Sequence, residues 1–246
     1  MPTIYGVNPV REFLKAHSGS LTGIVIARGR GGKEIEEIHR LAEEAGVQVT
    51  VRERAYLEKL VGRVAHQGIV GLVAGYGYAS LDEVMANRRP GMAGNLVVVA
   101  DHVTDPHNLG AIIRTAYCLG ANGLVIPDRR AAEVTATVVK ASAGAAYYLP
   151  VAKETNLARA LEILKANGFW VYAAEAEAKK ELEEMDFPGN VVLIVGGEGQ
   201  GIRRLLKEKA DFLFSIPMIG EINSLNVSVA TGIVLYKIFS HLRRMG

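Results

Sequence analysis

Only one cysteine, Cys118, occurs in the 246 residues. An internal disulfide is therefore excluded, and so is a zinc site built from several thiolates. Charge of one sign is also scarce: 28 Lys and Arg stand against 26 Asp and Glu, a formal net charge of +2. A polybasic tail is thus not how this chain would hold nucleic acid, although a local basic patch remains open. Long apolar runs are missing too. The longest uncharged stretch of interest, residues 222–236, carries Asn and Ser and is too short and too polar to span a bilayer. Residues 1–10 lack the basic and apolar regions of a signal peptide, so a cytoplasmic location is expected. No internal repeat or low-complexity segment is visible.

What is present is the composition of a folded protein, 49% apolar and 22% charged. The length suits one or two domains. Two blocks and a joint can be read. Residues 1–75 form a small α/β unit, with helices expected at 10–16, 33–45 and 54–61 and strands at 23–27, 47–51 and 69–74. Gly46 stops the second helix. Residues 76–93 are punctuated by Gly77, Pro90 and Gly91 and read as a linker with one helical turn near 81–85. From residue 94 to 246, strands expected at 96–100, 123–126, 169–173, 191–195 and 212–216 alternate with helices at 109–119, 135–141, 157–166, 203–209 and 227–243. These strands are continuous apolar runs, the pattern of a parallel sheet covered on both faces. The front block leans slightly basic, with ten Lys and Arg against eight acids, whereas residues 94–246 hold sixteen of each sign.

In open α/β sheets the site lies in loops at the carboxyl ends of strands, and three such loops are unusual. The first runs from Asp101 to Gly110, with Arg114 in the following helix. Asn108 could be a helix N-cap and Arg114 a snorkelling surface residue. His102 and His107 have no third ligand at a familiar spacing, so no metal site is expected. The second loop, Gly196-Gly197-Glu198-Gly199-Gln200-Gly201, implies positive φ angles or a close backbone approach to a ligand. No Gly-Lys-Ser/Thr follows, so it is not a Walker loop, and it lies too late in the chain for a dinucleotide fingerprint. Glu198 would repel phosphate and suits an Arg or a cationic ligand. The third loop holds Ile216, Met218, Ile219 and Leu225, an apolar wall fit for a flat group such as adenine, with Ser224 and Asn226 as helix-capping residues.

Taken together and in this order, Asn108…Arg114, Gly196–Gly201 and the Ile216…Ser224-Leu225-Asn226 stretch resemble the three motifs of the SpoU-type RNA 2′-O-methyltransferases of the SPOUT superfamily. The front block joins in, since Ile4-Tyr5-Gly6-Val7-Asn8-Pro9-Val10 and His66-Gln67-Gly68-Ile69 resemble this family's substrate-binding domain. The resemblance implies an α/β fold whose C-terminal part is threaded into a deep trefoil knot with a mostly parallel sheet. It also implies a small N-terminal L30e-like α/β domain. Members that methylate a guanosine of 23S rRNA are the most similar. The implied cofactor is S-adenosylmethionine, contacted by Gly196, Gly197, Gly201, Ile216, Met218 and Leu225. The implied chemistry places Arg114 at the attacking 2′-oxygen, Glu198 holding its guanidinium, Asn108 orienting Arg114 or the ribose, and Ser224 and Asn226 completing the hydrogen bonds. RNA is the implied partner, with Arg28, Arg30, Lys33, Arg52 and Arg54 as phosphate contacts; DNA and membrane are not. A homodimer is implied, and a stripe at Val229, Ile233, Tyr236 and Phe239 on the last helix is expected to serve both core and interface. Three other readings are a tRNA or other rRNA ribose 2′-O-methyltransferase of the same family, since relatives with the same two-domain layout modify other RNA sites; a non-catalytic RNA-binding protein, against which Asn108, Arg114 and Glu198 speak; and a dinucleotide-dependent oxidoreductase, against which the lateness of the glycine loop speaks.

Overall fold

Successive side chains along residues 24–27 bury on opposite faces of one strand: Ile24 and Ile26 on one, Val25 and Ala27 on the other. A strand apolar on both faces needs cover on both, and this dictates the layers of the first unit. In the computed structural model, which describes residues 3–73, 75–197, 199, 201–220 and 224–245, the chain divides into two units, Met1–Gly77 and Tyr78–Gly246.

The first unit runs β1 (Thr3–Tyr5), α1 (Val7–His17), β2 (Leu21–Ala27), α2 (Lys33–Glu44), β3 (Val49–Arg52), α3 (Arg54–Val61) and β4 (Ile69–Val73). Its sheet has the order β1-β4-β2-β3, with β2 and β3 parallel and β4 antiparallel to both β1 and β2. Helices α1 and α2 cover the Ile24 face through Val10, Leu14, Ile35 and Ile38, and α3 covers the other face through Leu57. Gly46, at φ +67°, ends α2. Its N–H donates to Glu43 and that of Val47 to Ala42, the paired bonds of a Schellman turn. Gln67 lends its Oε1 to the Val7 N–H at 2.9 Å, which caps α1 and joins the two front stretches singled out in the sequence.

The second unit runs α4 (Leu81–Ala86), β5 (Leu96–Asp101), α5 (Pro106–Cys118), β6 (Gly123–Pro127), α6 (Ala136–Ala141), β7 (Val151–Glu154), α7 (Leu157–Ala166), β8 (Phe169–Ala174), β9 (Asn190–Gly196), α8 (Arg204–Lys209), β10 (Phe212–Phe214) and α9 (Val227–Met245). The sheet order is β10-β8-β9-β5-β6-β7, and every pairing is parallel. Helices α4, α7 and α8 pack on one face through Val84, Leu161 and Leu206. Helices α5 and α9 pack on the other, against β6 and β9. The middle strand β5 is apolar from Leu96 to Ala100 without interruption because none of these residues is exposed.

Several expectations shift. The stretch read as a linker is divided, because from Tyr78 onward it folds with the second unit: Ala79 bridges to Ala152, and Leu81 and Val84 enter the core. Strands β1 and β7 were not expected; β1 is three residues long, and β7 is an edge strand ending in Lys153 and Glu154. Strand β10 stops at Phe214, and Ser215 instead bridges to Glu181, so Ile216 belongs to the loop. Of the four α9 stripe residues Phe239 alone is partly buried, and the other three do not serve the core. Val234, Leu235, Ile238 and Leu242 fill it, while Val229, Ile233 and Tyr236 face outward with 52%, 41% and 64% of their surface exposed. Among the described residues no helix is long and apolar enough to cross a membrane.

Candidate active site

Parallel strands deliver their carboxyl ends to one edge of the sheet, and the loops that leave that edge enclose a cavity of about 450 Å³, within the ~300–1,000 Å³ of small-ligand sites. Its walls come from three stretches: Gly196, Gly197, Gly199 and Gly201 after β9; Ile216, Met218, Ser224 and Leu225 before α9; and Ala174, Glu175 and Ala176 after β8. The last stretch carries no residue type that marks a site, and only its place at a strand's carboxyl end could have pointed to it. All six positions expected to contact a cofactor, Gly196, Gly197, Gly201, Ile216, Met218 and Leu225, line this one cavity. Met218 and Leu225 leave 36% and 39% of their surface exposed there, apolar area that a bound flat group would cover.

The glycines are required by close approach. A Cβ on Gly196 would stand 2.1 Å from the Gly201 carbonyl carbon, and one on Gly197 would stand 2.0 Å from the His102 carbonyl oxygen. The loop turns back on itself through a Gly201 N–H to Gly197 O bond of 3.1 Å, with Gly199 and Gly201 at φ +87° and +61°. Main-chain groups thus sit at the cavity surface, with no side chain between them and a ligand.

A brace that sequence reasoning passed over anchors this loop. Asp101, the last residue of β5, is fully buried. One carboxylate oxygen accepts the Arg203 main-chain N–H at 2.9 Å, and the other takes the Arg203 Nε at 2.9 Å. The terminal Arg203 nitrogen lies 2.8 Å from Oδ1, and His102 Nδ1 is also 2.8 Å from it. A buried carboxylate needs such donors, and here they pin the exit of the glycine loop to the central strand. The only local signal was an acid ending an apolar run. His102 itself sits at φ +55°, a conformation uncommon for a residue with a side chain.

The first and third motifs meet behind the cavity. Asn226 Nδ2 donates to Asn108 Oδ1 at 3.0 Å across 118 residues of chain. Asn226 also caps α9, its Oδ1 accepting from the Ser228 N–H at 2.9 Å and the Ser228 hydroxyl at 2.6 Å. Asn108 is not an N-cap. That role falls to Asp105, which accepts from His107 N at 2.8 Å with Pro106 in the first turn, so Asn108 is inside the helix and buried. Ser224 lines the cavity. Arg114 stands exposed on α5 and makes no ion pair or hydrogen bond among the described residues. It is not part of the cavity wall. Glu198, expected to hold it, lies outside the described residues.

In the first unit, Arg28, Arg30 and Lys33 follow β2, while Arg52 ends β3 and Arg54 begins α3. Because Ala27 pairs with Arg52 on parallel strands, all five leave the same edge of that sheet, and all are exposed. Arg28 is paired to Glu53 at 3.1 Å, Arg30 to Glu34 at 3.8 Å and Arg54 to Glu58 at 3.7 Å. Lys33 and Arg52 have no ion pair among the described residues.

An all-parallel sheet covered on both faces, with a glycine-lined cavity at its carboxyl edge, defines an α/β protein that binds a small ligand at that edge. Comparison with known proteins is more specific. Residues 95–236 match the SpoU rRNA Methylase family, and residues 3–79 match the domain described as RNA 2′-O ribose methyltransferase substrate binding. The chain belongs to the SpoU rRNA methylase family and is an RNA methyltransferase. It is 40% identical over 243 residues, 99% of this chain and 97% of the other, to a Bacillus subtilis (strain 168) protein named for the TrmH family of tRNA/rRNA methyltransferases. Among solved structures, the AdoMet-bound rRNA methyltransferase from Sinorhizobium meliloti superposes with a TM-score of 0.73 at 26% identity, covering 98% of this chain and 87% of that one. The SpoU methyltransferase AviRb from Streptomyces viridochromogenes, in complex with AdoMet, gives 0.75 at 25% identity, covering 97% and 89%.

Proposed function

We propose that the protein transfers a methyl group from S-adenosylmethionine to a ribose 2′-hydroxyl of RNA, a guanosine of 23S rRNA, and works as a cytoplasmic homodimer. The observation that carries this reading is the Asn226–Asn108 hydrogen bond beside a cavity walled by the second and third motifs. The cavity fits the cofactor: exposed main-chain groups suit an adenine edge, and Ile216, Met218 and Leu225 supply apolar walls. When bound, S-adenosylmethionine supplies an electrophilic methyl group on a sulfonium.

A ribose hydroxyl is a very weak acid, so the protein must orient it and stabilise charge developing on its oxygen. Arg114 serves as a cation at the 2′-oxygen or the adjacent phosphate. It does not act as a base, because a guanidinium has no lone pair free to accept a proton. The proton leaves to a phosphate oxygen or to water. Asn108 is fixed by Asn226 and orients the ribose or Arg114, Glu198 steadies the guanidinium, and Ser224 offers a hydroxyl from the cavity wall. Arg28, Arg30, Lys33, Arg52 and Arg54 dock RNA phosphates at the edge of the first sheet. The outward Val229, Ile233 and Tyr236 of α9 support the homodimer, since so apolar a strip is costly to leave in water. The trefoil knot belongs to this reading as the family's way of joining the second and third loops.

The test is incubation with labelled S-adenosylmethionine and unmodified total RNA, followed by mapping of the methylated nucleotide. A 2′-O-methylguanosine in 23S rRNA is expected. Label in tRNA alone would overturn the 23S assignment. Cofactor binding without transfer to any RNA would favour a non-catalytic RNA-binding protein. Stabilisation by NAD but not by S-adenosylmethionine in a thermal-shift comparison would overturn the cofactor.

A further inference from the structure

We propose that Arg129 and Arg130, on the loop between β6 and α6, grip RNA phosphates beside the ribose that receives the methyl group. This rests on methyl transfer to RNA at the carboxyl edge of the second sheet. Neither residue lines the cavity or belongs to the three motifs.

The loop carries two acids as well as two arginines, and the acids are occupied elsewhere. Lys153 on β7 places its Nζ 3.1 Å from Asp128 and 2.8 Å from Glu133. The hydrogen bond to Glu133, more than that to Asp128, keeps the lysine charged to a higher pH than usual. Arg129 and Arg130 are therefore left as the loop's uncompensated charges. Both are exposed, and neither makes an ion pair or hydrogen bond among the described residues. Some other exposed arginines are paired instead: Arg28, Arg40 and Arg204 have a carboxylate at 3.1, 2.7 and 2.7 Å.

The loop is also held in place. Asp128 N donates to Glu154 O at 2.9 Å, Ala132 N to Val103 O at 2.8 Å and Val134 N to the Tyr78 hydroxyl at 3.0 Å. Arg130 adopts φ +59°, in the left-handed region that a residue with a side chain enters only at a conformational cost.

Its position links it to the chemistry. Strand β6 neighbours β5, which neighbours β9. Val103, which holds Ala132, follows His102, whose carbonyl abuts Gly197 in the cavity wall. Two consecutive main-chain contacts thus connect the cavity to this loop. Guanidinium forks match phosphate oxygens in a bidentate geometry, and successive arginines provide two such contacts along a strand entering at the β6 side.

The double variant Arg129→Ala/Arg130→Gly removes both charges and relieves the backbone at residue 130, so its melting temperature should equal or exceed that of the parent. Binding of the full-length protein to an unmodified 23S rRNA transcript is measured over a KCl series, with steady-state methylation in parallel. The slope of log K against log[KCl] is expected to fall by ~0.7 per lost phosphate contact, about 1.4 for the pair. KM for RNA should rise about tenfold, with kcat and S-adenosylmethionine affinity unchanged. Lys209→Ala, at the amino-terminal edge of the sheet, should leave the slope unaltered. An unchanged slope and KM would overturn the proposal, as would a loss of cofactor affinity in step with KM, which would mean that the loop merely supports the cavity. If mapping assigns methylation to another RNA, the same measurements are made on that RNA, so failure of the 23S assignment remains distinct from failure of this one.

Discussion

Replacing Arg203 by Ala tests whether the glycine loop is pre-organised by its anchor. The substitution strips Asp101 of the Nε contact at 2.9 Å and the terminal nitrogen at 2.8 Å. The fully buried carboxylate keeps the Arg203 main-chain N–H at 2.9 Å and His102 Nδ1 at 2.8 Å. Deleting one partner of a fully buried pair costs ~3–5 kcal/mol. The Arg203 side chain is 46% exposed and two donors remain, so solvent screening brings the cost to about 1–2 kcal/mol. For a unit of this size that lowers the melting temperature by roughly 2–8 °C. If the same energy holds Gly197 and Gly201 in the binding geometry, the cofactor must supply it instead, and affinity for S-adenosylmethionine falls about 5–30-fold. Thermal unfolding and titration calorimetry on the same protein read the two effects. A lowered melting temperature with unaltered affinity would refute the pre-organising role, and no change in either would refute the brace itself.

Asn226→Ala removes a helix cap, worth ~1 kcal/mol, together with the contact to Asn108; Asn226→Ser restores the cap alone, so its stability should recover while kcat stays low in a methylation assay. Ile233→Glu places a charge in the outward strip of α9; if the proposed homodimer packs through that strip, sedimentation should show a dimer for the parent and a monomer for the variant. Burial among aromatic neighbours, then the charges of Asp211 and Asp186, push the Tyr172 hydroxyl up to about 12. A group whose pKa is raised in the folded state loses its contribution as pH climbs from its ordinary value near 10.0 through that folded value. Tyr172→Phe should therefore flatten the alkaline decline in stability followed by circular dichroism.

The layered fold was legible because β5, β6 and β9 are buried on both faces and so read as unbroken apolar runs. Helix α5 began earlier than expected because Asp105-Pro106, a capping residue followed by a first-turn proline, outweighs the apolar period that starts at Leu109. Strand β7 escaped because half of it is charged, which an edge position tolerates. On α9 both Val229-Ile233-Tyr236 and Val234-Leu235-Ile238 follow helical spacing, and periodicity has no means of choosing which one faces the sheet. The candidate site was legible as glycine density and apolar loops. Its assembly was not, since the Asn108–Asn226 and Asp101–Arg203 contacts join residues more than a hundred positions apart and leave no trace in local pattern.

Every wall of the cavity is drawn from residues between Ala174 and Ala230, and the final wall includes the first turns of the last helix. A polypeptide interrupted during synthesis between Phe214 and Ser224 would carry the whole first unit and every strand of the second sheet, yet lack a finished pocket. Competence for cofactor binding would then arrive in one step, once residues 224–230 had been added to a sheet already complete.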